Sequence, residues 1–387
     1  MESIFGVRWA ALELNHVQAF LKGASGEGLT WEAKGHAPLK QLKHKIVEAV
    51  CALANQLGGF VIVGAESESK SSEGPWMLPG VVNDINEDAH DWICRVLNGR
   101  LTNPPPFDVR RWTLPDQRLV AAVIRVEPVP VPPCITIDGL VWQRMVAESK
   151  KVTEPLVLQD LIHRGEAARA AAREKSREAV ARLIDMAPLV EGGQENARVA
   201  IALTPTAAMS DISSRLFREE FKEALAHAAG TLETAEWVAM TEPRPHRDGY
   251  VLWRGKAGPE SWAWAMQALW NGTVCVEFAI RRQTNSSPPS VNTIIEQAWS
   301  AAASLLPELT GIPDKDHVPT FFALQVRGGD HFTLQYPQRL VRAPTTDGPV
   351  ERWTTMSEPT PAEVSSVIRE LARAVGVDAL EPGGVAG

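Results

Sequence analysis

The sequence predicts an α+β protein of two domains joined by a connector helix, and three observations predict it. The 387 residues and 42.2 kDa exceed one ordinary domain of about 100–200 residues. Segments of helical period and short apolar strand-like runs follow one another without a regular strand-helix-strand alternation. Between two halves rich in apolar runs lies GEAARAAAREKSREAVARLI, an Ala/Arg/Glu-rich stretch with the composition of an exposed helix. The expected division is residues 1–164, a connector over 165–195, and an α+β domain over 196–387.

Taken in order, Arg8 to about Lys22 carries apolar residues at Trp9, Leu12, Val17, Phe20 and Leu21, a loose helical spacing that GASGEG breaks. Leu29–Lys34 reads as a short strand. From Leu39 to Leu57 the apolar positions Leu42, Ile46, Ala49, Val50, Leu53 and Leu57 recur at three and four, so an amphipathic helix with basic residues outward is expected. Gly58-Gly59 ends it, and FVIVGAE is a buried strand. A long loop holding GPWMLPG precedes a helix from about Glu87 to Leu97. NPPPF is punctuation before two strands, Asp108–Leu114 and Arg118–Glu127. DGLVWQRM makes one more strand. Thr153 then caps a helical region to about Met186, with a break expected near Gly165. Beyond it VAIALTP, DGYVLWRG, VCVEFAI, TFFALQVRG and HFTLQY read as strands, and Ile212–Ala228, Val291–Leu306 and Pro361–Val375 as helices. Trp262, Trp264 and Trp270 read as core or interface rather than a base-stacking platform.

Composition narrows the function classes. With 44% hydrophobic and 22% charged residues the chain has the profile of a soluble globular protein. No apolar run reaches the roughly 18–20 residues of a membrane span. The stretch MESIFGVRWAALELN is acidic where a signal peptide is basic, so a cytoplasmic location is expected. Cys51, Cys94, Cys134 and Cys275 stand singly, which gives neither a zinc site nor a disulfide framework; buried free thiols are expected. His317 and His331 with Asp314, Asp316 and Asp330 lack ligand spacing and read as solvated loops. Gly58, Gly59 and Gly64 lead into and out of a strand and no G-x-x-x-x-G-K-[ST] follows, so no ATP site is expected.

Charge is uneven. The first 190 residues hold 22 Lys and Arg against 23 Asp and Glu, and the remainder 17 against 24. In the less acidic part, Lys34, Lys40, Lys43 and Lys45 share an acid-free window with His36 and His44, a patch suited to phosphate or to solvent. Just before it, GEGLTWEAKGH places Glu27, Glu32 and Lys34 together. On a strand Glu32 and Lys34 share a face, and Glu27 lies on the preceding loop within reach of it. Glu66 or Glu68, at the end of FVIVGAESES, supplies a third carboxylate. Clustered carboxylates raise one another's pKa unless a cation neutralises them, and Mg²⁺ or Mn²⁺ accepts such oxygens.

These residues, with ALANQLGGFVIVGAE, PPPF, VAAVIRVEP and VWQRMVAESKKVT in this order, resemble the Schlafen AlbA-2 domain from about Val7 to Arg164. The resemblance implies a nucleic-acid-binding domain and, from the Glu-x4-Glu-x-Lys spacing, a metal-dependent endoribonuclease acting on structured RNA such as transfer RNA. Glu27, Glu32 and Glu66 would then hold Mg²⁺ or Mn²⁺ and Lys34 would contact phosphate. Lys34, Lys40, Lys43, Lys45 and Arg144 would bind the nucleic-acid backbone. Two readings stand beside it: a non-catalytic DNA- or RNA-binding module using the same basic surface, and a pure interaction protein in which Glu32 and Lys34 form a surface ion pair. Only one Glu-x4-Glu-x-Lys copy is present, whereas the vertebrate family builds its cradle from two lobes. A homodimer is therefore expected.

Overall fold

A computed structural model describes residues 4–35, 37–67, 75–116, 118–146, 148–185, 197–206, 216–230, 232, 244–246, 249–255, 262–280, 290–310, 318–327, 333–336, 339–342, 350–354 and 359–374. Both α and β elements are present throughout, so the protein is α+β. The chain divides into two compact units, Met1–Ala167 and Ala168–Gly387. Glu68 and the cluster of His317, His331, Asp314, Asp316 and Asp330 lie outside the described residues. Among the described residues no helix is long and apolar enough to cross a membrane.

The first unit is a mixed sheet between two apolar layers. Its strands are β1 (Trp31–Lys34), β2 (Gly59–Val63), β5 (Val81–Val82), β6 (Phe107–Thr113) and β7 (Leu119–Val126). β1 runs parallel to β2, β2 antiparallel to β7, and β6 occupies the other edge of β7 while β5 continues the edge that β2 begins. Helices α2 (Lys43–Ala54) and α3 (Ala89–Arg100) cover one face through Ile46, Val50, Leu53, Ile93 and Leu97, which meet Val61, Val63, Ile124 and Val126. The opposite face is closed by α1 (Leu14–Gly23) and an aromatic layer in which Phe5, Phe20, Trp31, Phe60 and Trp76 meet edge to face at 5.2–5.3 Å between ring centroids. Alternation along β2 sends Phe60 and Ile62 into one layer and Val61 and Val63 into the other, which is why this strand is continuously apolar.

Gly59 makes the β1–β2 pairing possible. Its φ is +148°, and a Cβ there would lie 2.3 Å from the Thr30 carbonyl oxygen, to which Phe60 N–H donates at 2.9 Å. Four departures from the expected elements bear on the first unit. α2 begins at Lys43, not Leu39, because Pro38–Leu42 forms a turn of its own, so Lys40 precedes the helix. The loop before α3 contains β3 (Glu66–Ser67) paired with β4 (Trp76–Met77), as well as β5. β8 (Trp142–Arg144) is joined by β9 (Ser149–Lys151) in a hairpin. Finally α4 (Pro155–Asp185) runs unbroken through Gly165. That glycine is needed for close approach, since its Cβ would lie 2.1 Å from the Pro132 carbonyl oxygen.

The second unit is a seven-stranded antiparallel sheet in the order β11 (Arg244–His246), β12 (Gly249–Gly255), β13 (Trp262–Leu269), β14 (Val274–Ile280), β10 (Ala197–Pro205), β15 (Thr320–Arg327) and β18 (Val350–Thr354). A separate pair is β16 (Thr333–Tyr336) with β17 (Arg339–Arg342). Helices α5 (Glu219–Gly230), α6 (Val291–Thr310) and α7 (Pro361–Ala374) pack on one face against Val199, Ile201, Leu203, Trp264 and Phe322. On the other face, Ala172, Ala179, Val180 and Leu183 of α4 pack on Ala200, Ala202 and Ala323, small side chains that let the helix come close. Trp264 is fully enclosed and Trp270 partly so, both in this core.

Candidate nucleic-acid interface and its carboxylate cluster

β1 presents Trp31 to the aromatic layer, and alternation turns Glu32 and Lys34 to the opposite side, toward α2. Glu27 reaches the same point because the chain folds sharply through a bridge between Gly28 and Trp31. Its Oε1 accepts the Ala33 N–H at 2.8 Å. Glu27, Glu32 and Lys34, predicted from their spacing, are thus brought together.

The hairpin β8–β9 completes the cluster. Arg144 and Ser149 are register partners across it, and both meet Glu32 Oε2, Ser149 Oγ donating at 2.5 Å and Arg144 Nη1 lying at 3.0 Å. Arg144 Nη2 donates to Glu27 Oε2 at 3.0 Å and to the Trp31 carbonyl at 3.1 Å, while its Nε donates to the Gly28 carbonyl at 3.0 Å. Lys34 Nζ pairs with Glu32 Oε1. The side chain of Arg144 is 0% exposed and that of Glu32 3%. Arg144 therefore cannot face nucleic acid as expected, because both carboxylates and two carbonyls enclose it. The hairpin is held in turn by buried Asn55 at the end of α2, whose Nδ2 donates to the carbonyls of Cys134 and Trp142 at 2.9 Å and whose Oδ1 accepts from Cys134 N–H at 2.7 Å.

Glu66 is close by. A Cβ on Gly35, just beyond β1, would lie 3.4 Å from the Glu66 Cβ. Glu48 on α2 belongs to the same neighbourhood and was not predicted. Burial raises its carboxyl pKa from the ordinary value, Lys34 and His44 oppose that, and Glu32 and Asp138 add to it. Its signal in the sequence was a carboxylate between the buried positions Val47 and Ala49, four residues after His44.

A divalent cation would have to compete with the Arg144 guanidinium and the Lys34 ammonium for Glu27 and Glu32 in this arrangement. All four oxygens of Glu27 and Glu32 already accept a hydrogen bond or an ion pair. An ion between them would also sit against the Arg144 guanidinium and the Lys34 ammonium, where like charges repel strongly in a buried setting. Among the described residues, the group whose ligand atoms lie within 4.8 Å of one another is Asp88, His90 and Asp91, not these glutamates.

The expected basic residues lie outside the cluster. Lys40 and Lys45 are exposed and Lys43 is half-buried at the start of α2. Lys40 N–H donates to Asp84 Oδ1 at 2.9 Å. His44 is exposed beside them, and exposed Lys150 and Lys151 stand on β9, which packs against α2. The two β9 lysines were not singled out in the sequence, although they belong to the quoted VAESKKVT run.

No curated protein matches the chain. Among solved structures, the DIP2311 protein from Corynebacterium diphtheriae aligns at 15% identity with a TM-score of 0.26. That alignment covers 54% of this chain and 38% of the other, a likeness too slight to bear on the fold. The family model described as Schlafen, AlbA_2 matches residues 27–153, beginning at Glu27 and ending just after β9, so the N-terminal part of this chain carries a Schlafen AlbA_2 domain.

Proposed function

We propose that the N-terminal unit is a non-catalytic nucleic-acid-binding module that grips the phosphate backbone with the cations around α2 and β9, and that the carboxylate cluster fixes that surface. The observation that carries this reading is Arg144, whose buried guanidinium ties β1 to the β8–β9 hairpin and neutralises both glutamates. Lys43, Lys45, Lys150 and Lys151 are thereby held on elements of fixed relative position. Lysines bind phosphate as point charges without reading sequence.

The test is a salt titration of binding to labelled RNA and DNA. Replacing Lys40, Lys43 and Lys45 by Ala is expected to weaken binding and to reduce the slope of log K against log salt by about 0.7–0.9 for each phosphate that is no longer neutralised. Adding Lys150→Ala and Lys151→Ala is expected to reduce it further. An unchanged slope would show that this face is not the interface.

The convergence of Glu27, Glu32 and Lys34 favours a second reading, metal-dependent cleavage of structured RNA. It requires Arg144 to release both carboxylates. Incubation of the purified protein with labelled transfer RNA and Mn²⁺ or Mg²⁺ separates the two: intact RNA is expected, and cleavage that Glu32→Ala abolishes would establish the nuclease.

A further inference from the structure

The first turns of α3 carry a cysteine, a histidine and a carboxylate in a relay that the binding reading does not use. Cys94 Sγ lies 3.9 Å from His90 Nε2, one helical turn earlier, and His90 Nδ1 lies 2.9 Å from Asp91 Oδ1. An aspartate on Nδ1 holds that proton in place and leaves Nε2 as the basic nitrogen facing the thiol. The spacing follows from the helix, since residues four apart share a face.

Exposure separates Cys94 from the other thiols. Cys51, Cys134 and Cys275 are buried, whereas Cys94 is partly buried, packed against the edge of the α2–α3 core, against the expectation of buried thiols throughout. Burial pushes the Cys275 thiol up to about 12, and a hydrogen bond with Cys51, reinforced by burial, raises Cys134 well above the ordinary range. Those three are held as inert thiols. The charged groups around the relay are paired among themselves: Arg111 with Asp88, which also caps α3 by accepting the His90 N–H at 2.8 Å, and Arg95 with Glu87.

We propose that Cys94 is a modification site, a thiol activated by His90 and Asp91 for exchange with a low-molecular-weight disulfide. His90 Nε2 accepts the thiol proton. The thiolate attacks one sulfur of the disulfide, the new Cys94 S–S bond forms as the old S–S bond breaks, and the departing thiolate takes up the proton from the imidazolium. Cys94 is oxidised to a mixed disulfide and half of the small disulfide is reduced to its thiol, so the exchange needs no other oxidant.

The experiment uses the full chain with dithiobis-nitrobenzoate, a chromogenic disulfide, and a chelator throughout. One of the four thiols is expected to react rapidly in the folded protein and the other three only in denaturant, and Cys94→Ser is expected to remove the rapid equivalent. His90→Asn, folded by circular dichroism, is expected to slow that reaction about threefold at neutral pH, because the loss of thiolate is partly offset by the greater nucleophilicity of a more basic sulfur. It also moves the pH midpoint of labelling upward, and Asp91→Asn moves it part of the way. Rapid labelling that survives Cys94→Ser, or a midpoint unmoved by His90→Asn, would overturn the assignment.

Discussion

Replacing Arg144 by methionine is expected to destabilise the N-terminal unit by about 3–5 kcal/mol, the cost of leaving buried charge without its partner. The fully enclosed guanidinium donates to two carbonyls and faces two carboxylates. Methionine fills much of the space but leaves Glu27 Oε2 without its cation and Glu32 with Lys34 and Ser149 alone. Urea unfolding of the full chain measures the loss. The quadruple variant Glu27→Gln, Glu32→Gln, Lys34→Met, Arg144→Met removes the charges together, Lys34 being the ion-pair partner of Glu32, and is expected to recover most of it, since a buried charge network replaced as a whole is often near neutral. A single Arg144→Met that unfolds with the wild-type midpoint would mean that the cluster is not a structural tie, and the binding reading built on it would lose its support.

Why was the cluster only half legible? Glu27, Glu32 and Lys34 are close in sequence, and period-two alternation is enough to place the last two on one face. Arg144 and Ser149 are not reachable by such local arguments: each lies 117 residues or about as far from the groups it meets. Arg144 reads as one more surface cation until the hairpin that carries it is placed against β1, and β9 itself has only three residues, too few for a period to register. The same limit hid β4 and β5, of two residues each. The longer elements were legible, α2 and α3 because each repeats its apolar period over several turns, β2 and β7 because each is an almost unbroken apolar run. In the second unit β13 was not legible for a different reason. WAWAMQAL draws attention to its tryptophans, yet it is an inner strand paired on both sides, and Trp264, Met266 and Ala268 face the same core. The break expected at Gly165 failed because the glycine answers a packing demand from Pro132, which is visible only in three dimensions.

The stability of the second unit is expected to fall as pH rises from about 4.5 to about 7, through Glu277. This carboxylate lies on the face of the sheet that α4 covers, with Oε1 3.0 Å from Arg198 Nη1, and it is 1% exposed. Burial pushes its pKa from 4.5 to about 7 even though Arg198 opposes the shift. Arg198 Nη1 also donates to the Leu183 carbonyl at 2.9 Å, so its hydrogen-bonding capacity is shared. Of the neighbouring groups, Cys275, which burial holds up to about 12, remains a neutral thiol across the window. Because the folded pKa lies above the unfolded one, the folded state holds the proton more tightly. Its advantage is complete below about 4.5 and is lost as pH climbs through about 7. A difference of that size corresponds to about 3 kcal/mol. Glu277→Gln keeps the shape and a hydrogen-bonding oxygen for Arg198 while removing the titration. Urea unfolding of the full chain, followed by fluorescence across this window, is expected to show the slope in the wild type and to lose it in the variant. An equal slope in both would assign the pH dependence to other groups and would mean that the Glu277–Arg198 pair remains ionised throughout.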